Sequence, residues 1–561
     1  MAVVKSSRLC LTFGLLGLGH AFNGSTLTFP APIGYSTKVY NVSAAITTIS
    51  YSYSNEELGL LWDQVGSIAV PAYEPTLKAS KLPADFKWGV ASAAYQVEGA
   101  AKDEGRGPSI WDMLVHRDYA SVIDNTTGDV TAGHYYLYKQ DFARLAALGI
   151  PWFSMSISWS RIFPFGRIGS PVNEQGVAHY DDVFVSMLEY GIKPAVTLYH
   201  WDTPLALFNA YGAWTSEQIV EDFVNYAIFI ISRYDDYVPI WYTFNEPQYC
   251  NWQYSLWPAG NSKGLYPAYN NITGGLPARF LCGHYLLLAH GRVAKWYHEV
   301  FRGKGRISMK NSGTYYRPNS TSAADQDAVD RQYQFGLGWF GGPWTDGDYP
   351  QVMKDTLGDL LPAFSQSEKD MIKGSCDFYA IDPYVGYYAA ALPEGSAACA
   401  ANSSNPNYPE CSMTLLTDPD GFPIGPASNP YASWLWSTPL AIRLFLSDIT
   451  KRLFPTIPDI VVSEFGFEEP FEGDLIDLGN ILWDLRRTDY FQSYLDNILA
   501  ARVEDGVNVT GAFAWAIYDN FEWFSGLQTK FGLQYLNQTS LERVPKASMF
   551  QFLDWFKLHM P

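Results

Sequence analysis

Short apolar runs alternate with amphipathic stretches along the chain from about residue 86 onward. The runs have the length of strands and are rich in β-branched and aromatic residues, whereas the stretches between them repeat apolar residues every three or four positions, as helices do. Strands are predicted at 86–90, 152–157, 194–198, 240–244, 306–310, 378–381, 460–463 and 511–515. Helices are predicted at 134–148, 176–190, 216–234, 367–374, 438–453, 485–504 and 548–558. This alternation predicts an α/β fold, a single (β/α)8 TIM barrel.

Long polar stretches follow several of the predicted strands, at 311–347, 393–430 and 468–480. Polar stretches of this length are usually functional or disordered. In a parallel barrel they would surround the carboxyl ends of the strands, which is where the active sites of such barrels lie. We therefore expect long βα loops around a site at one end of the barrel.

The first residues resemble an export signal. Lys5 and Arg8 precede an apolar run at 9–18, and a Gly-His-Ala cleavage site follows at 19–21. The apolar run is too short to span a bilayer. We predict a signal peptide at 1–21, an N-terminal extension at 22–80 and the barrel domain at 81–561.

The net charge and the glycosylation signals indicate which partners and which compartment to expect. The 561-residue chain has a formal net charge of −19 and would repel a phosphate backbone, so nucleic acid is not an expected partner. No His/Cys cluster predicts zinc, and we expect no metal, other cofactor, membrane contact or obligate protein partner. With the export signal, the Asn-x-Ser/Thr acceptors predict a secreted, extracellular glycoprotein. These acceptors are Asn23, Asn41, Asn125, Asn271, Asn319, Asn402, Asn508 and Asn537.

The cysteines predict one disulfide and leave an odd number of thiols. Five cysteines remain after Cys10, which lies in the signal, so at least one is free or forms an intermolecular link. Cys399 and Cys411 close a short loop within a polar stretch, and export favours oxidation, so we predict that they form a disulfide. By the chain-entropy model this link contributes about 3 kcal/mol.

Two of the predicted strands end in a glutamate. The run 240–244 leads into Asn245, Glu246 and Pro247, and the proline ends the strand because it has no backbone N–H. The run 460–463 leads into Glu464 in the same way. Strands four and seven lie on opposite sides of a barrel mouth, and glycosidic cleavage uses such a pair: a protonated carboxyl serves the leaving oxygen and an ionised one attacks the anomeric carbon. A metal site would need further hard ligands beside the pair, which the sequence does not offer.

Six motifs follow one another in a recognisable order, at 86–99, 156–162, 200–204, 243–247, 463–466 and 513–523. They resemble the motifs of glycoside hydrolase family 1, the β-glucosidase-type retaining enzymes. One such motif would be weak evidence, but six in order are specific. The resemblance implies a β-glucosidase that hydrolyses terminal β-D-glucosyl residues of cellobiose, oligoglucosides or aryl and alkyl glucosides through a covalent glycosyl-enzyme intermediate.

The resemblance also implies a role for each matching residue. Glu246 matches the acid/base of the family and Glu464 its nucleophile. Arg161 and Tyr384 match the pair beside the nucleophile, where a cation would keep Glu464 ionised. Trp434 matches the tryptophan on the leaving-group side. The residues that match the holders of the non-reducing sugar are Gln96, His200, Asn245, Trp515, Glu522 and Trp523.

The chemistry of these side chains suits a pyranose ring. Gln96 and an ionised Glu522 can both bond adjacent hydroxyls, and the carboxylate accepts the stronger kind of hydrogen bond. Trp515 and Trp523 offer flat faces to the C–H side of the ring. Asn245 can hold the 2-hydroxyl, a contact that strengthens in the transition state.

Two positions depart from the family pattern. Phe465 follows the nucleophile where the family usually has asparagine, and Asp382 also stands where an asparagine is usual. Neither change removes a reacting atom. An additional acid near Glu464 would favour protonation of the nucleophile and shift the pH profile, and it leaves the sugar preference more open.

Three alternatives remain at this point. A catalytically silent sugar-binding protein on the same fold would have lost one of the two glutamates, whereas this chain keeps both Glu246 and Glu464. An enzyme for 6-phosphosugars would need cations beside the sixth carbon, where the charge of Glu522 would instead repel a phosphate. Transglycosylation, in which an alcohol captures the intermediate in place of water, is compatible with the sequence.

The family geometry leads to two quantitative expectations. The two carboxyls should lie about 5–5.5 Å apart, which leaves no room for a water between sugar and nucleophile and implies retention of the anomeric configuration. Activity should be highest on the acid side of neutral, because Glu464 must be ionised while Glu246 keeps its proton.

Overall fold

The computed structural model describes residues 77–117, 121–251 and 275–561. Its centre is a closed barrel in which every strand is parallel to its two neighbours and the first strand closes against the last. The barrel strands are β1 (Lys87–Ala91), β2 (Trp152–Ser156), β3 (Lys193–Tyr199), β4 (Ile240–Asn245), β5 (Arg306–Ser312), β6 (Tyr379–Asp382), β7 (Ile460–Phe465) and β8 (Val509–Trp515). The TIM-barrel prediction is confirmed, and each predicted strand overlaps an observed one. The predicted signal peptide and nearly all of the predicted extension lie outside the described residues.

A ring of helices surrounds the barrel, and one helix of the ring follows each strand. These helices are α1 (His134–Leu148), α2 (Glu174–Glu189), α3 (Gln218–Tyr234), α4 (Gly275–Lys295), α5 (Gln366–Ile372), α6 (Pro439–Asp448), α7 (Leu485–Val503) and α8 (Ala547–His559). The apolar face of α3 is buried, and its Phe223 stacks on Phe244 of β4 with ring centroids 4.5 Å apart. Helix α3 therefore fixes the strand that leads to Glu246. None of the helices in the described ranges combines the length and the apolarity needed to cross a bilayer.

Helix α4 has no counterpart among the predicted helices. Its consecutive residues Leu286, Leu287 and Leu288 are all buried, and so are His290 and Gly291. A helix that is buried on most sides has no single apolar stripe, so the periodicity that identifies a surface helix is missing. The helix predicted at 438–453 is interrupted instead: α6 ends at Asp448 and a π-helical turn, Ile449–Leu453, completes the stretch.

The polar stretches between barrel elements contain more regular structure than a loop prediction allows. The stretch 311–347 includes a strand, Tyr315–Pro318, which joins a small sheet with Gly386–Ala390 and Met413–Leu415. A two-stranded sheet pairs Gln534–Leu536 with Arg543–Pro545 after β8. Further helices lie at Ala94–Val97, Ile110–Arg117, Trp159–Ile162, Leu205–Tyr211, Ala323–Tyr333, Trp339–Asp346, Gln351–Leu357, Ser396–Ala400 and Leu478–Leu482. These elements form the walls around the carboxyl ends of the barrel strands.

Two disulfides cross-link the walls. Cys399 and Cys411 are paired as predicted, with their Cα atoms 5.6 Å apart. A second disulfide joins Cys250, just after β4, to Cys282 in α4, and this pair was not predicted because its partners are 32 residues apart. Cys376 is a buried free thiol whose Sγ lies 3.3 Å from Nε2 of His290. This thiol accounts for the odd number of cysteines among the described residues.

Candidate active site

A cavity of about 540 Å³ lies at the carboxyl ends of the barrel strands. The predicted site residues converge on it from β4, β7 and β8 and from the loops that follow β3, β6 and β8. Those that line the cavity are His200, Asn245, Glu246, Tyr384, Trp434, Glu464, Trp515, Glu522 and Trp523. Two predicted residues, Gln96 and Arg161, do not line the cavity. Gln96 donates a hydrogen bond to Glu522, which does, and Arg161 pairs with Glu98.

Glu464, in β7, has a hydrogen-bond donor on each carboxylate oxygen. The ammonium group of Lys310 lies 2.9 Å from Oε1, and the hydroxyl of Tyr384 donates to Oε2 at 3.1 Å. The Glu464 side chain is buried, so these two contacts replace the hydration that an ionised carboxylate has in water. The pair of donors fixes the carboxylate in place.

Lys310 is the most important site residue that sequence reasoning missed. It lies in β5, is buried, and approaches Glu464 across the barrel mouth. Ser308 and Lys310 alternate with Ile307 and Met309 along this strand. Because alternate residues of a barrel strand point inward, a lysine at an inward position was the available signal.

Arg161, expected beside the nucleophile, has other partners in the structure. Arg161 belongs to the short helix Trp159–Ile162 that follows β2, and its guanidinium pairs with Glu98, with Nε 3.0 Å from Oε2. It also donates to the carbonyl of Gly99 and lies over the ring of Tyr135 at 4.1 Å. The chain has already left the strand at this point, so the side chain is held between wall segments, and Lys310 is the cation that contacts the nucleophile.

Glu246 follows β4 directly, in a left-handed backbone conformation with a φ of 40°. Its backbone N–H donates to the carbonyl of Lys310 at 2.9 Å, which ties the turn to β5. Removal of the carboxyl from bulk water, together with the charge of Glu464, raises the pKa of Glu246 to about 8. Glu246 therefore holds a proton at neutral pH, as a general acid must.

Asp382, at the end of β6, is a buried carboxyl close to the nucleophile. Ser463 Oγ donates to its Oδ1 at 2.6 Å. Burial and, to a lesser extent, the charge of Glu464 raise the pKa of Asp382 well above its ordinary value. This shift favours the protonated form of Asp382 and so weakens the repulsion expected from an additional acid at this position.

Several polar atoms at one end of the cavity have no hydrogen-bond partner in the protein. Both amide atoms of Asn245 are buried without a partner among the described residues, and so is Nδ1 of His200. Trp515 and Trp523 flank the imidazole of His200, with centroid distances of 6.0 Å and 5.8 Å. Unpaired buried amide and imidazole groups next to flat aromatic faces suit a ligand that has hydroxyls on its rim and C–H groups on its face.

Glu522 lies on the same side of the cavity and is held by Gln96. The Gln96 amide donates to Oε2 of Glu522 at 3.2 Å and also to the carbonyl of Phe521 at 3.0 Å. Burial and the charge of Glu464 raise the pKa of Glu522 to about 8, so the expectation of a charged Glu522 at neutral pH is wrong. A protonated carboxyl both donates and accepts, and it can still hold two hydroxyls.

The opposite side of the cavity is apolar and open. Trp434 is 46% exposed and meets the ring of Tyr384 edge-on at 5.7 Å, and Tyr431 is exposed beside it. Within the described part of the chain, no lysine or arginine belongs to the lining, since Lys310 lies behind Glu464. Exclusion of a phosphate would therefore rest on the missing cation and not on a charge of Glu522.

Comparisons with known proteins agree with this geometry. The profile of glycosyl hydrolase family 1 matches residues 78–559. Raucaffricine-O-beta-D-glucosidase of Rauvolfia serpentina is 37% identical over 511 residues, which cover 86% of this chain and 92% of that protein. A GH1 beta-glucosidase of the fungus Humicola insolens, solved in complex with glucose, has a TM-score of 0.78 and 34% identity over 86% of this chain and 99% of that chain. A rice beta-glucosidase mutant in a covalent complex with Glc has a TM-score of 0.77 and 32% identity, covering 86% and 98%.

Proposed function

Because the chain belongs to glycosyl hydrolase family 1, we propose that it is a retaining β-glucosidase that removes terminal, unphosphorylated β-D-glucosyl residues. One observation carries the proposal: two carboxyls of one cavity have opposite electrostatic surroundings. Glu464 is paired with Lys310, whereas burial and the charge of Glu464 raise the pKa of Glu246 to about 8. A cation beside one carboxyl and a raised pKa on the other suit a nucleophile and an acid catalyst.

In the first step, an oxygen of Glu464 attacks the anomeric carbon and the bond from that carbon to the leaving oxygen breaks. Glu246 transfers its proton to the leaving oxygen, so that the aglycone departs as a neutral alcohol and Glu246 becomes a carboxylate. The product on the protein is an ester between Glu464 and the sugar. A rice relative solved in a covalent complex with Glc supports an intermediate of this kind.

In the second step, the roles of the two carboxyls change. Glu246, now ionised, removes a proton from a water molecule, and the water oxygen attacks the anomeric carbon from the side that the aglycone left. The ester bond breaks and Glu464 regains its negative charge beside Lys310 and Tyr384. Two inversions at one carbon give net retention.

The glycone would lie at the end of the cavity where polar atoms are unpaired. Asn245 would hold the 2-hydroxyl, Glu522 and Gln96 the hydroxyls farther from the reacting carbon, and Trp515 the face of the ring. The aglycone would lie against Trp434 at the open side. An exposed aromatic wall suits a sugar or aryl aglycone, and the reaction needs no metal or other cofactor.

We also propose that the protein is secreted and glycosylated. The N-terminal signal pattern supports export, and the two disulfides suit an oxidising compartment. The acceptor residues Asn125 and Asn402 are exposed. Mass spectrometry of the exported protein, before and after removal of N-glycans, tests both points.

The stereochemistry of the first product tests the mechanism. Proton NMR of a β-glucoside digest should show the β-anomer of glucose before mutarotation. An initial α-anomer would refute retention and the role of Glu464.

Two variants separate the roles of the carboxyls. Glu464→Ala should lose nearly all activity on every substrate, because no ester forms. Glu246→Ala should lose less on nitrophenyl glucosides, whose leaving groups need no proton. Added azide should restore turnover in both, giving the β-glucosyl azide from Glu246→Ala and the α-glucosyl azide from Glu464→Ala. Identical azide products from the two variants would contradict the assignment.

A further inference from the structure

A fully buried carboxyl in the cavity wall has no part in the mechanism above. Glu468 follows the nucleophile by four residues in the chain and lines the same cavity as Glu464 and Glu522. Its Oε2 accepts a hydrogen bond from Ser428 Oγ at 3.3 Å. Its Oε1 is buried and has no hydrogen-bond partner among the described residues. A buried polar atom without a partner needs an explanation, and a bound ligand is one.

Glu468 shares its cavity with Glu464 and Glu522. Among the neighbouring carboxyls, Glu522 has the largest effect on the pKa of Glu468. We therefore place Glu468 with Glu522, at the end of the cavity proposed for the glycone. In a β-glucoside bound with its anomeric carbon at Glu464, the 4-hydroxyl and the hydroxymethyl group on C5 point toward that end.

We propose that Glu468 is a specificity-determining residue, whose free Oε1 forms a hydrogen bond with the 6-hydroxyl of the bound glycone. This inference rests on the proposed β-glucosidase function and assigns the glycone class: hexopyranosides with a hydroxymethyl group, in preference to pentopyranosides and 6-deoxy sugars, which lack that hydroxyl.

The chemistry of the carboxyl supports this role. Burial raises the pKa of Glu468 well above its ordinary value, which favours the neutral carboxyl, and a neutral carboxyl can donate as well as accept. A neutral carboxyl suits a hydroxyl, whereas a phosphate or carboxylate on C6 would find no lysine or arginine in the described lining. A site that is built to bond a hydroxyl discriminates against analogues without it, since its own buried polar group is then left unpaired.

The test compares 4-nitrophenyl β-D-glucoside with 4-nitrophenyl β-D-xyloside, which differ only in the hydroxymethyl group. In Glu468→Ala, kcat/KM for the glucoside should fall about 10- to 100-fold, while kcat/KM for the xyloside should change by less than about threefold. Glu468→Met, which keeps the length of the side chain, gives the same readout should the alanine variant fail to fold. Glu468→Gln keeps hydrogen-bonding atoms and should retain most of the preference for the glucoside.

Glu469→Ala is the matched control, because Glu469 is the next residue, lies outside the lining and pairs with Arg486 at 3.1 Å. It should leave the glucoside-to-xyloside ratio unchanged even where it lowers the Tm. An equal loss on both substrates in Glu468→Ala, or no loss on either, would overturn the proposal and leave the β-glucosidase function intact. A wild-type protein that hydrolyses neither substrate would overturn the function itself, and this inference with it.

Discussion

The contact between Lys310 and Glu464 leads to a prediction about the acidic side of the pH profile. Replacing Lys310 by methionine keeps the length of the side chain and removes the positive charge 2.9 Å from Oε1 of the nucleophile. Ionised Glu464 then becomes less stable relative to its protonated form. Protonation should therefore begin at a higher pH, and the acidic limb of kcat/KM should move up.

The size of the shift follows from the geometry. Two opposite unit charges 4 Å apart attract by about 4 kcal/mol at an effective dielectric constant of about 20, and the observed pair is at least as close. Each 1.36 kcal/mol moves a titration by about one pH unit, so complete loss of this attraction corresponds to about three units or more. Water that enters the vacated space, and the remaining bond from Tyr384, reduce this value, so a shift of about 1–3 units is expected.

The assay is kcat/KM for 4-nitrophenyl β-D-glucoside measured between about pH 3 and pH 9. Lys310→Arg keeps the charge and should leave the acidic limb nearly in place. Lys546→Met is the matched control, because Lys546 is equally buried and pairs with Asp519 at 2.7 Å and with Glu472 at 2.5 Å, and none of these residues lines the cavity. It should lower stability without moving the limb. A folded Lys310→Met variant with the wild-type acidic limb would refute the idea that Lys310 keeps the nucleophile ionised.

Two further predictions concern the acid catalyst and the newly found disulfide. Because the pKa of Glu246 is raised to about 8, kcat/KM should fall above about pH 8, and Glu246→Gln should abolish this basic limb on nitrophenyl glucosides; a limb that persists would belong to another group. Cys250→Ser removes the disulfide with Cys282, which closes a loop between residues 32 apart, and should lower the free energy of unfolding in urea by about 4 kcal/mol. Cys376→Ala, which breaks no disulfide, is the control and should cause a smaller loss.

Local sequence signals sufficed for the barrel and for both glutamates. A buried strand is a short apolar run, and Glu246 and Glu464 each stand where such a run stops. Helix α4 was not predicted, because a helix that is buried on most sides shows no amphipathic periodicity. The strand and the helices within 311–347 were not predicted either, because the polar composition of this stretch is typical of a loop.

The electrostatic partners in the site could not be read locally. Lys310 and Glu464 are 154 residues apart and meet only because β5 and β7 curve around the same barrel mouth. Arg161 was assigned to the nucleophile from a motif position, but the helix that carries it turns the side chain toward Glu98. Protonation states depend on burial and on neighbouring charges, so the neutral form of Glu522 also needed three-dimensional information.

The distribution of charge in the cavity decides which carboxyl does which chemistry. Several carboxyls crowd the closed end, and among the described residues a single lysine ammonium reaches one of them within hydrogen-bond distance. Neighbouring carboxyls in a poorly hydrated space are not all ionised at once, and the carboxyl beside a cation is the one that ionises most readily. In the mechanism we propose, Lys310 therefore makes Glu464 the nucleophile, and burial together with the charge of Glu464 raises the pKa of Glu246, as the acid role requires. Once the proposed ester forms, Glu464 would carry no charge, and its influence on Glu246 would end at the step in which Glu246 is to act as a base.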